Sequence, residues 1–137
     1  MSRAQKRRIA AIWTLTTLEA WIAECERLLE CYQTGKAATH GNCGLCTIKD
    51  SVIWATDLVG GAPSGSCGGV CVWPYFTGYT CTDYANEYFK SKGINWGDVP
   101  QYNGPGWHLW VEKRKQQLPQ WIRALKKVLK EKQNEAN

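Results

Sequence analysis

The sequence predicts a mainly α-helical protein with little or no β structure, in which N- and C-terminal amphipathic helices pack together beside a glycine-rich, cysteine-bearing centre. Three observations support this fold class. All thirteen glycines and four of the five prolines lie between Gly35 and Gly106, so the two ends contain no glycine and a single proline. Apolar residues at both ends recur at the spacing of one helix face. Five of the seven cysteines lie between Cys43 and Cys81.

At 137 residues the chain is long enough for one domain with a modest core. We divide this domain, residues 1–137, into a helical arm at 1–34, a cysteine- and glycine-rich centre at 35–106 and a second helical arm at 107–137. The formal net charge is +5, and the last segment alone carries eight Lys or Arg against three Glu. The positive charge is therefore concentrated in the second arm.

The first arm is predicted to form one amphipathic helix. Thr16 and Glu19 match a capping box, in which each side chain accepts the free backbone amide of the other residue, so we expect the helix to begin there. Gly35 is expected to end it, because glycine readily takes the left-handed conformation of a helix C-terminus. Cys25 lies on the apolar stripe and Cys31 beside it, and we expect both to be plain thiols. The stripe consists of Leu18, Trp21, Ile22, Cys25, Leu28, Leu29 and Tyr32.

The N-terminus combines basic residues with an apolar run, a pattern that signal peptides share. Threonines interrupt the run, Glu19 stops it, and no small-residue cleavage site follows. No stretch approaches the roughly 18 apolar residues of a membrane span. We therefore expect a cytoplasmic protein that does not enter a membrane.

The cysteines of the centre are spaced as two halves of a zinc site. Zn²⁺ in structural sites is bound by four ligands in a tetrahedron, and a Cys-x-x-Cys turn presents two thiolates together. Cys43 and Cys46 form the first half, and Cys71 with Cys81 is the expected second half. Cys67 competes with Cys71 for its place, because five thiols exceed what one ion needs. The predicted cofactor is one structural Zn²⁺.

Two alternatives to this ligand set remain open. His40 lies three residues before Cys43 and is a further candidate ligand. Disulfide bonds would also explain a high density of cysteines in a small domain. The odd number of cysteines, the lack of a recognisable secretory signal and the paired turns favour the metal.

The rest of the centre contains few regular elements. Residues 51–59 are rich in β-branched side chains and fit either a strand or a short buried helix. A short helix is expected after Cys81, with Thr82 or Asp83 as its N-cap and Gly93 at its end. Its aromatic side consists of Tyr84, Tyr88 and Phe89.

The second arm begins at about Gly106 and again carries its apolar residues on one face. Pro119 interrupts the pattern, so we expect either a kink or two helices, the later of which would start at this proline. The two apolar stripes are buried most simply when the arms lie against each other. The second stripe consists of Trp107, Trp110, Val111, Leu118, Trp121, Ile122, Leu125, Val128 and Leu129.

The sequence contains none of the catalytic motifs that are common in cysteine-rich or zinc-binding enzymes. A zinc hydrolase or nucleobase deaminase needs an open coordination position beside a carboxylate, and neither His-Glu-x-x-His nor His-x-Glu with Pro-Cys-x-x-Cys occurs. The Cys43 pair lacks the strand-to-helix setting of thioredoxin-like enzymes, and no phosphate-binding glycine loop is present. We therefore predict a non-catalytic protein.

Two surfaces are candidates for binding a partner. Aromatic residues in the glycine-rich centre would contact a partner protein, and these are Trp73, Tyr75, Phe76 and Tyr79. A basic face of the C-terminal helix would instead follow nucleic-acid phosphates. Its residues are Lys113, Arg114, Arg123, Lys126, Lys127 and Lys130. Packing over the metal site is the alternative for the aromatic residues, and a solvated helix face is the alternative for the basic ones.

The cysteine pattern also resembles that of small cysteine-rich, zinc-binding proteins encoded by bacteriophages and prophages, most of them uncharacterised. The likeness covers roughly residues 40–85 and the arms only by their architecture. It is carried by Cys43, Cys46, Cys67, Cys71, Pro74, Thr77, Gly78 and Cys81. Three residues in place of two separate Cys67 from Cys71, and the proline is displaced to Pro74, which leaves the choice between these two cysteines open. The resemblance implies a metal-stabilised accessory protein and no particular activity.

Together these expectations describe a non-catalytic, zinc-stabilised accessory protein in the cytoplasm of a bacterial host. It would bind a host macromolecule, foremost a protein that serves in defence or handles nucleic acid, and act as an inhibitor or modulator. Direct binding of nucleic acid through the basic C-terminal helix is the alternative. The sequence defines neither the identity of the partner nor the oligomeric state.

Overall fold

The computed structural model describes residues 3–35, Leu45, Ile48, 71–94 and 105–136. The helices in these ranges are α1 (Arg3–Ile12), α2 (Leu15–Thr34), α3 (Val72–Thr77), α4 (Cys81–Ser91) and α5 (Pro105–Ala136). No strand occurs within the described ranges, so the prediction of a mainly α-helical protein is confirmed for them. Residues 51–59, for which a strand and a helix fit equally well, lie outside the described residues.

The two amphipathic arms pack against each other as predicted, since α2 and α5 form the most extensive helix contact in the described structure. In α2 the buried residues are Leu18, Trp21, Ile22, Cys25, Leu28 and Tyr32. In α5 the buried apolar residues are Trp107, Trp110, Leu118, Trp121, Ile122 and Leu125. Each large apolar side chain that is fully buried contributes roughly 1.5–3 kcal/mol relative to an exposed one. This interface is therefore the main source of stability for the described helices.

The start of α2 corrects the predicted capping box. The cap is Thr14, whose hydroxyl accepts a hydrogen bond from the Thr17 amide at 3.1 Å. Thr16 already lies inside the helix, where it cannot act as the N-cap. The preceding Trp13 is buried, and this fixes the direction of the chain before the first turn. The predicted end is confirmed, because Gly35 has φ 75° and follows the last turn in the left-handed conformation.

Helix α1 lies in the segment that the sequence presents only as a basic start. It spans Arg3–Ile12 and leads into α2 through Trp13. Ile9 is buried in the core, and α1 packs against α3. The Lys132 ammonium donates a hydrogen bond to the Trp13 carbonyl, which ties the C-terminal half of α5 to this corner.

Helix α5 runs from Pro105 to Ala136 through Pro119, so the alternative of two separate helices is wrong. Proline has no amide hydrogen and leaves the carbonyl four residues earlier without its usual helical donor. Leu118 and Trp121, on either side of the proline, are buried in the core. Their burial keeps the turns before and after Pro119 in place despite the lost hydrogen bond.

Helices α3 and α4 are short and pack against each other. Thr80 caps α4 by accepting a hydrogen bond from the Asp83 amide at 3.2 Å, which corrects the expectation that Thr82 or Asp83 is the cap. Helix α4 ends at Ser91, and Gly93 follows with φ 70°, close to the predicted stop. The predicted aromatic side of α4 packs into the core through Tyr84, Tyr88 and Phe89.

Candidate functional site

Two of the four predicted zinc ligands lie in the described part of the chain. Cys71 is the N-cap of α3 and is buried, and Cys81 is the first residue of α4 and is half-buried. Because α3 and α4 pack against each other, the two thiols stand at the starts of neighbouring helices. Within the described residues no group of three or more His, Cys, Asp or Glu side chains is positioned to hold a metal ion. The other candidate ligands, which lie outside the described residues, are Cys43, Cys46, Cys67 and His40.

Leu45, the residue before Cys46, lies in the core. It stands between Cys43 and Cys46 in the sequence and is only 1% exposed within the main hydrophobic cluster. Ile48, three residues later, packs against the same cluster. The structure thus places in the core a residue that stands between two of the predicted ligands, whose thiolates are donors that suit Zn²⁺.

The four aromatic residues predicted to contact a partner differ in exposure. Trp73 is buried, and its ring centroid lies 4.9 Å from that of Trp121. This corrects the prediction of Trp73 as an exposed contact, because the packing of α3 on the core encloses its ring. Tyr75 and Phe76 are half-buried. Tyr79 is 49% exposed and is the large hydrophobic residue of this set that faces solvent.

Arg114 differs most from its predicted role. It is only 2% exposed, and its guanidinium carbon lies 4.3 Å from the Trp73 ring centroid and 4.6 Å from the Trp121 centroid. Its Nη1 donates to Gln117 Oε1 at 3.0 Å, and Gln117 Nε2 donates to the Tyr84 hydroxyl at 2.8 Å. A planar guanidinium stacks well on aromatic faces, which offsets part of the cost of burying its charge. Arg114 therefore belongs to the core and not to the predicted nucleic-acid face.

The sequence does contain a signal for this burial. Arg114 follows Trp110 by four residues and precedes Leu118 by four, so all three share one face of α5. The prediction places every charged residue of α5 on the solvent side and so does not use this spacing. The guanidinium has three tryptophan rings within 6 Å, including Trp110 at 5.9 Å. This aromatic surrounding of the charge cannot be seen in the sequence alone.

The other predicted basic residues of α5 remain near the surface. Lys113 is half-buried, and the exposed members are Arg123, Lys126, Lys127 and Lys130. The Lys126 ammonium lies 3.9 Å from a Glu26 carboxylate oxygen of α2, and the two side chains are 58% and 53% exposed. Exposed ion pairs of this kind contribute about 0–1 kcal/mol. The exposed cations of α5 are thus positioned by the helix backbone, and the ion pair with Glu26 neutralises their positive charge only weakly.

Helix α1 adds a second basic element that the sequence reasoning missed. It carries Arg3, Lys6, Arg7 and Arg8 and no acidic residue, whereas α2 carries four Glu and a single Arg. Within residues 1–34 these charges nearly cancel, so a count over that segment conceals them. The described helices therefore separate charge, with an acidic α2 and basic α1 and α5.

A groove of about 460 Å³ lies between α1 and the C-terminal half of α5, and Tyr75 of α3 is part of its lining. Burial raises the pKa of the Tyr75 phenol above 10.0, and the negative charge of Glu131 raises it further. Burial lowers the pKa of the Lys132 ammonium, while Glu135 raises it. Groups of both signs therefore line this groove, and among them Tyr75 and Lys132 are partly shielded from water.

No family model, curated protein or solved structure matches this chain. Among the helices of the described ranges, none is both long and apolar enough to cross a bilayer. The charge and geometry of the chain itself are therefore the basis for inferring its function.

Proposed function

We propose that this chain is a non-catalytic, zinc-stabilised accessory protein of the bacteriophage type, which binds a host macromolecule in the bacterial cytoplasm and modulates its activity. The observation that supports a binding role is the separation of charge between helices. Helix α2 exposes Glu19, Glu26 and Glu30, whereas α1 and α5 expose mainly cations. Surfaces dominated by one sign attract a partner of the opposite sign and orient it as it docks.

In this proposal Zn²⁺ is held by Cys43, Cys46, Cys71 and Cys81, with Cys67 competing for the place of Cys71. Cys71 and Cys81 stand at the N-terminal ends of α3 and α4, two helices that pack against each other. A closed site of four thiolates contributes to folding and leaves no open coordination position for chemistry. The ion would fix the cysteine-rich centre on the helices.

Elemental analysis of the purified protein tests the metal. We expect one zinc per chain, and Cys81→Ser should lower both the zinc content and the melting temperature. Cys31→Ser is the matched control, because Cys31 lies near the end of α2 and outside the predicted ligand set. Native mass spectrometry that shows a metal-free chain with bridged cysteines would overturn the zinc proposal.

A host protein that serves in defence or handles nucleic acid is the first candidate partner. Capture from a bacterial lysate, with and without nuclease treatment, tests it. This candidate is supported by a host protein that the wild-type chain retains after nuclease digestion and that the Arg123→Gln/Lys127→Gln variant no longer retains. Lys90→Gln/Lys92→Gln removes the same charge at the end of α4 and serves as the control. Retention that is equal for both variants would contradict a role for the basic face.

Direct binding of nucleic acid is the second candidate, and α1 is the observation that favours it. Its four cations add a second basic helix to the basic face of α5, and three of them line a groove whose α5 side carries Glu131, Lys132 and Glu135. Affinity titrations at several salt concentrations test this candidate, because log K falls with log salt by about 0.9 per phosphate contact on duplex DNA and about 0.7 on single strands. A steep slope supports nucleic-acid binding. Affinity that is absent or independent of salt contradicts it.

A further inference from the structure

The groove between α1 and α5 has one wall lined by cations. Arg3, Lys6 and Arg7 line it from α1, and no ion pair involves any of them within the described residues. The Lys6 ammonium lies 5.3 Å from the Tyr75 ring centroid. Arg3 and Arg7 are exposed and stand about 6 Å apart along the helix axis, roughly one turn. They therefore present two guanidinium groups to the same side of the groove.

This arrangement opposes the intrinsic stability of α1. Cations in a first turn face the positive end of the helix dipole, and α1 has no acidic residue there to compensate. Arg3 and Arg7 also repel each other across one turn. A bound anion would relieve both effects. Local choices that conflict with the fold in this way are typical of functional surfaces.

The opposite wall, on α5, presents hydrogen-bond acceptors. Glu131, Lys132 and Glu135 line it, and the Lys132 ammonium is engaged by the Trp13 carbonyl, to which it donates a hydrogen bond. The side chains of an acidic peptide have no hydrogen-bond donor to offer these carboxylates, so such a peptide fits the cationic wall alone. A nucleotide instead carries negative charge at its phosphate and hydrogen-bond donors at its ribose hydroxyl and base amino groups. A nucleotide therefore matches both walls.

We infer that this groove binds a nucleotide unit of single-stranded nucleic acid, with its two flanking phosphates on Arg3, Lys6 and Arg7 and the sugar or base donors on Glu131 and Glu135. The inference rests on the second proposed function and assigns its site and ligand chemistry. The groove volume of about 460 Å³ lies within the roughly 300–1,000 Å³ of pockets that hold small molecules. Such a volume accommodates a nucleotide and not the width of a duplex.

Fluorescence anisotropy with a labelled riboadenylate decamer tests this inference. Arg3→Gln/Arg7→Gln removes two groove cations, whereas Lys90→Gln/Lys92→Gln removes two cations that neither line the groove nor belong to the basic helices α1 and α5, so both variants have the same net charge. Losing two phosphate contacts lowers the salt slope by about 1.4. Between about 50 and about 200 mM salt, the wild-type protein should therefore lose about sevenfold more affinity than the groove variant. The control variant should behave like the wild-type protein.

Two further ligands test the chemistry of the opposite wall and the source of the nucleotide. A deoxythymidylate decamer lacks both the 2′-hydroxyl and the base amino group, so it should bind more weakly than the riboadenylate. Glu131→Ala/Glu135→Ala should remove that difference, and an unchanged difference would overturn the role of the carboxylates. Adenosine monophosphate should compete poorly. Competition as effective as that of the decamer would overturn the assignment to a strand and identify a free nucleotide as the ligand.

Different outcomes contradict the groove as the binding site and nucleic-acid binding as the function. Equal losses in the groove and control variants would overturn the groove as the site while leaving nucleic-acid binding intact. No binding by the wild-type protein would overturn both. Arg3→Lys/Arg7→Lys keeps the charge and should keep the wild-type salt slope, whereas a slope as low as that of the glutamine variant would overturn the electrostatic assignment.

Discussion

Replacing Arg114 with alanine should destabilise the protein by about 3 kcal/mol. The guanidinium carbon lies 4.3 Å and 4.6 Å from the Trp73 and Trp121 ring centroids, and desolvated cation–π contacts of this kind contribute about 2 kcal/mol or more. Truncation also leaves a cavity, and cavities of comparable size cost about 2–5 kcal/mol. Removing the buried charge also removes its desolvation penalty, which offsets several kcal/mol, or about half of the combined loss from the two preceding effects. The net effect is a loss of about 3 kcal/mol.

Arg114→Met separates the packing contribution from the charge. Methionine fills most of the space between the tryptophan rings and loses the cation–π contacts, but it also removes a buried charge that has no carboxylate partner within the described residues. These two effects nearly cancel, so we expect a cost of about 1 kcal/mol. Lys115→Ala is the neighbouring control, because its ion pair with Glu112 is exposed and contributes less than about 1 kcal/mol.

Urea unfolding followed by tryptophan fluorescence measures these free energies, and calorimetry provides an independent check. For a chain of this length, a loss of about 3 kcal/mol corresponds to a fall in melting temperature of about 10 °C. The reasoning is refuted if Arg114→Ala stays within about 1 kcal/mol of the wild-type protein. It is also refuted if methionine is as damaging as alanine, since charge and not packing would then dominate.

Three further changes test local features of the fold. Gly35→Ala should cost about 1 kcal/mol, because Gly35 has φ +75° with nothing within 4 Å of an added Cβ, so the left-handed backbone alone sets the cost. Thr80→Ala should cost about 1 kcal/mol by removing the cap of α4. Raising the pH through about 10 should destabilise the protein, since burial raises the pKa of Tyr75 in the folded state and the unfolded state loses its phenolic proton first. Tyr75→Phe should make this loss shallower.

Each of these changes has a control in the chain, and urea unfolding measures all of them. Gly35→Asn should cost less than alanine, because asparagine tolerates the left-handed region better. Thr80→Ser keeps the capping hydroxyl and should stay close to the wild-type stability. Below about pH 9, Tyr75→Phe should show the same pH dependence as the wild-type protein, because the phenol then keeps its proton in both the folded and the unfolded state. Equal effects of a change and its control would contradict the corresponding local argument.

The helix pair could be predicted from the sequence because the apolar residues of α2 and α5 need each other. Leu18, Trp21 and Leu28 repeat at helical spacing, and an isolated helix with such a stripe would expose it to water. Gly35 could likewise be predicted as the end of α2, since few other residues adopt its positive φ without strain. Periodicity and backbone sterics are properties of a short stretch of chain, so they can be read without knowing the tertiary contacts.

The rest depends on contacts between distant residues. Thr14 and Thr16 both have the hydroxyl of an N-cap, and the burial of Trp13 decides between them. Helix α1 has a charge pattern that disfavours an isolated helix, and it packs against α3. Arg114 is stable in the core because two other segments supply its tryptophan and tyrosine neighbours. The zinc ligand set stays a prediction, because four of its six candidate residues, among them Cys43, lie outside the described residues.

The burial of tryptophan in this core has a consequence for spectroscopy. All six tryptophans of the described residues are buried, namely Trp13, Trp21, Trp73, Trp107, Trp110 and Trp121. Ring centroids of neighbouring members lie as close as 4.9 Å and 5.9 Å. Indole excited states couple at such separations, so aromatic bands will overlap the helix signal in the far ultraviolet. Amide infrared absorption will therefore report helix content more faithfully than far-ultraviolet circular dichroism. Substituting one tryptophan will also alter the fluorescence emission of its neighbours.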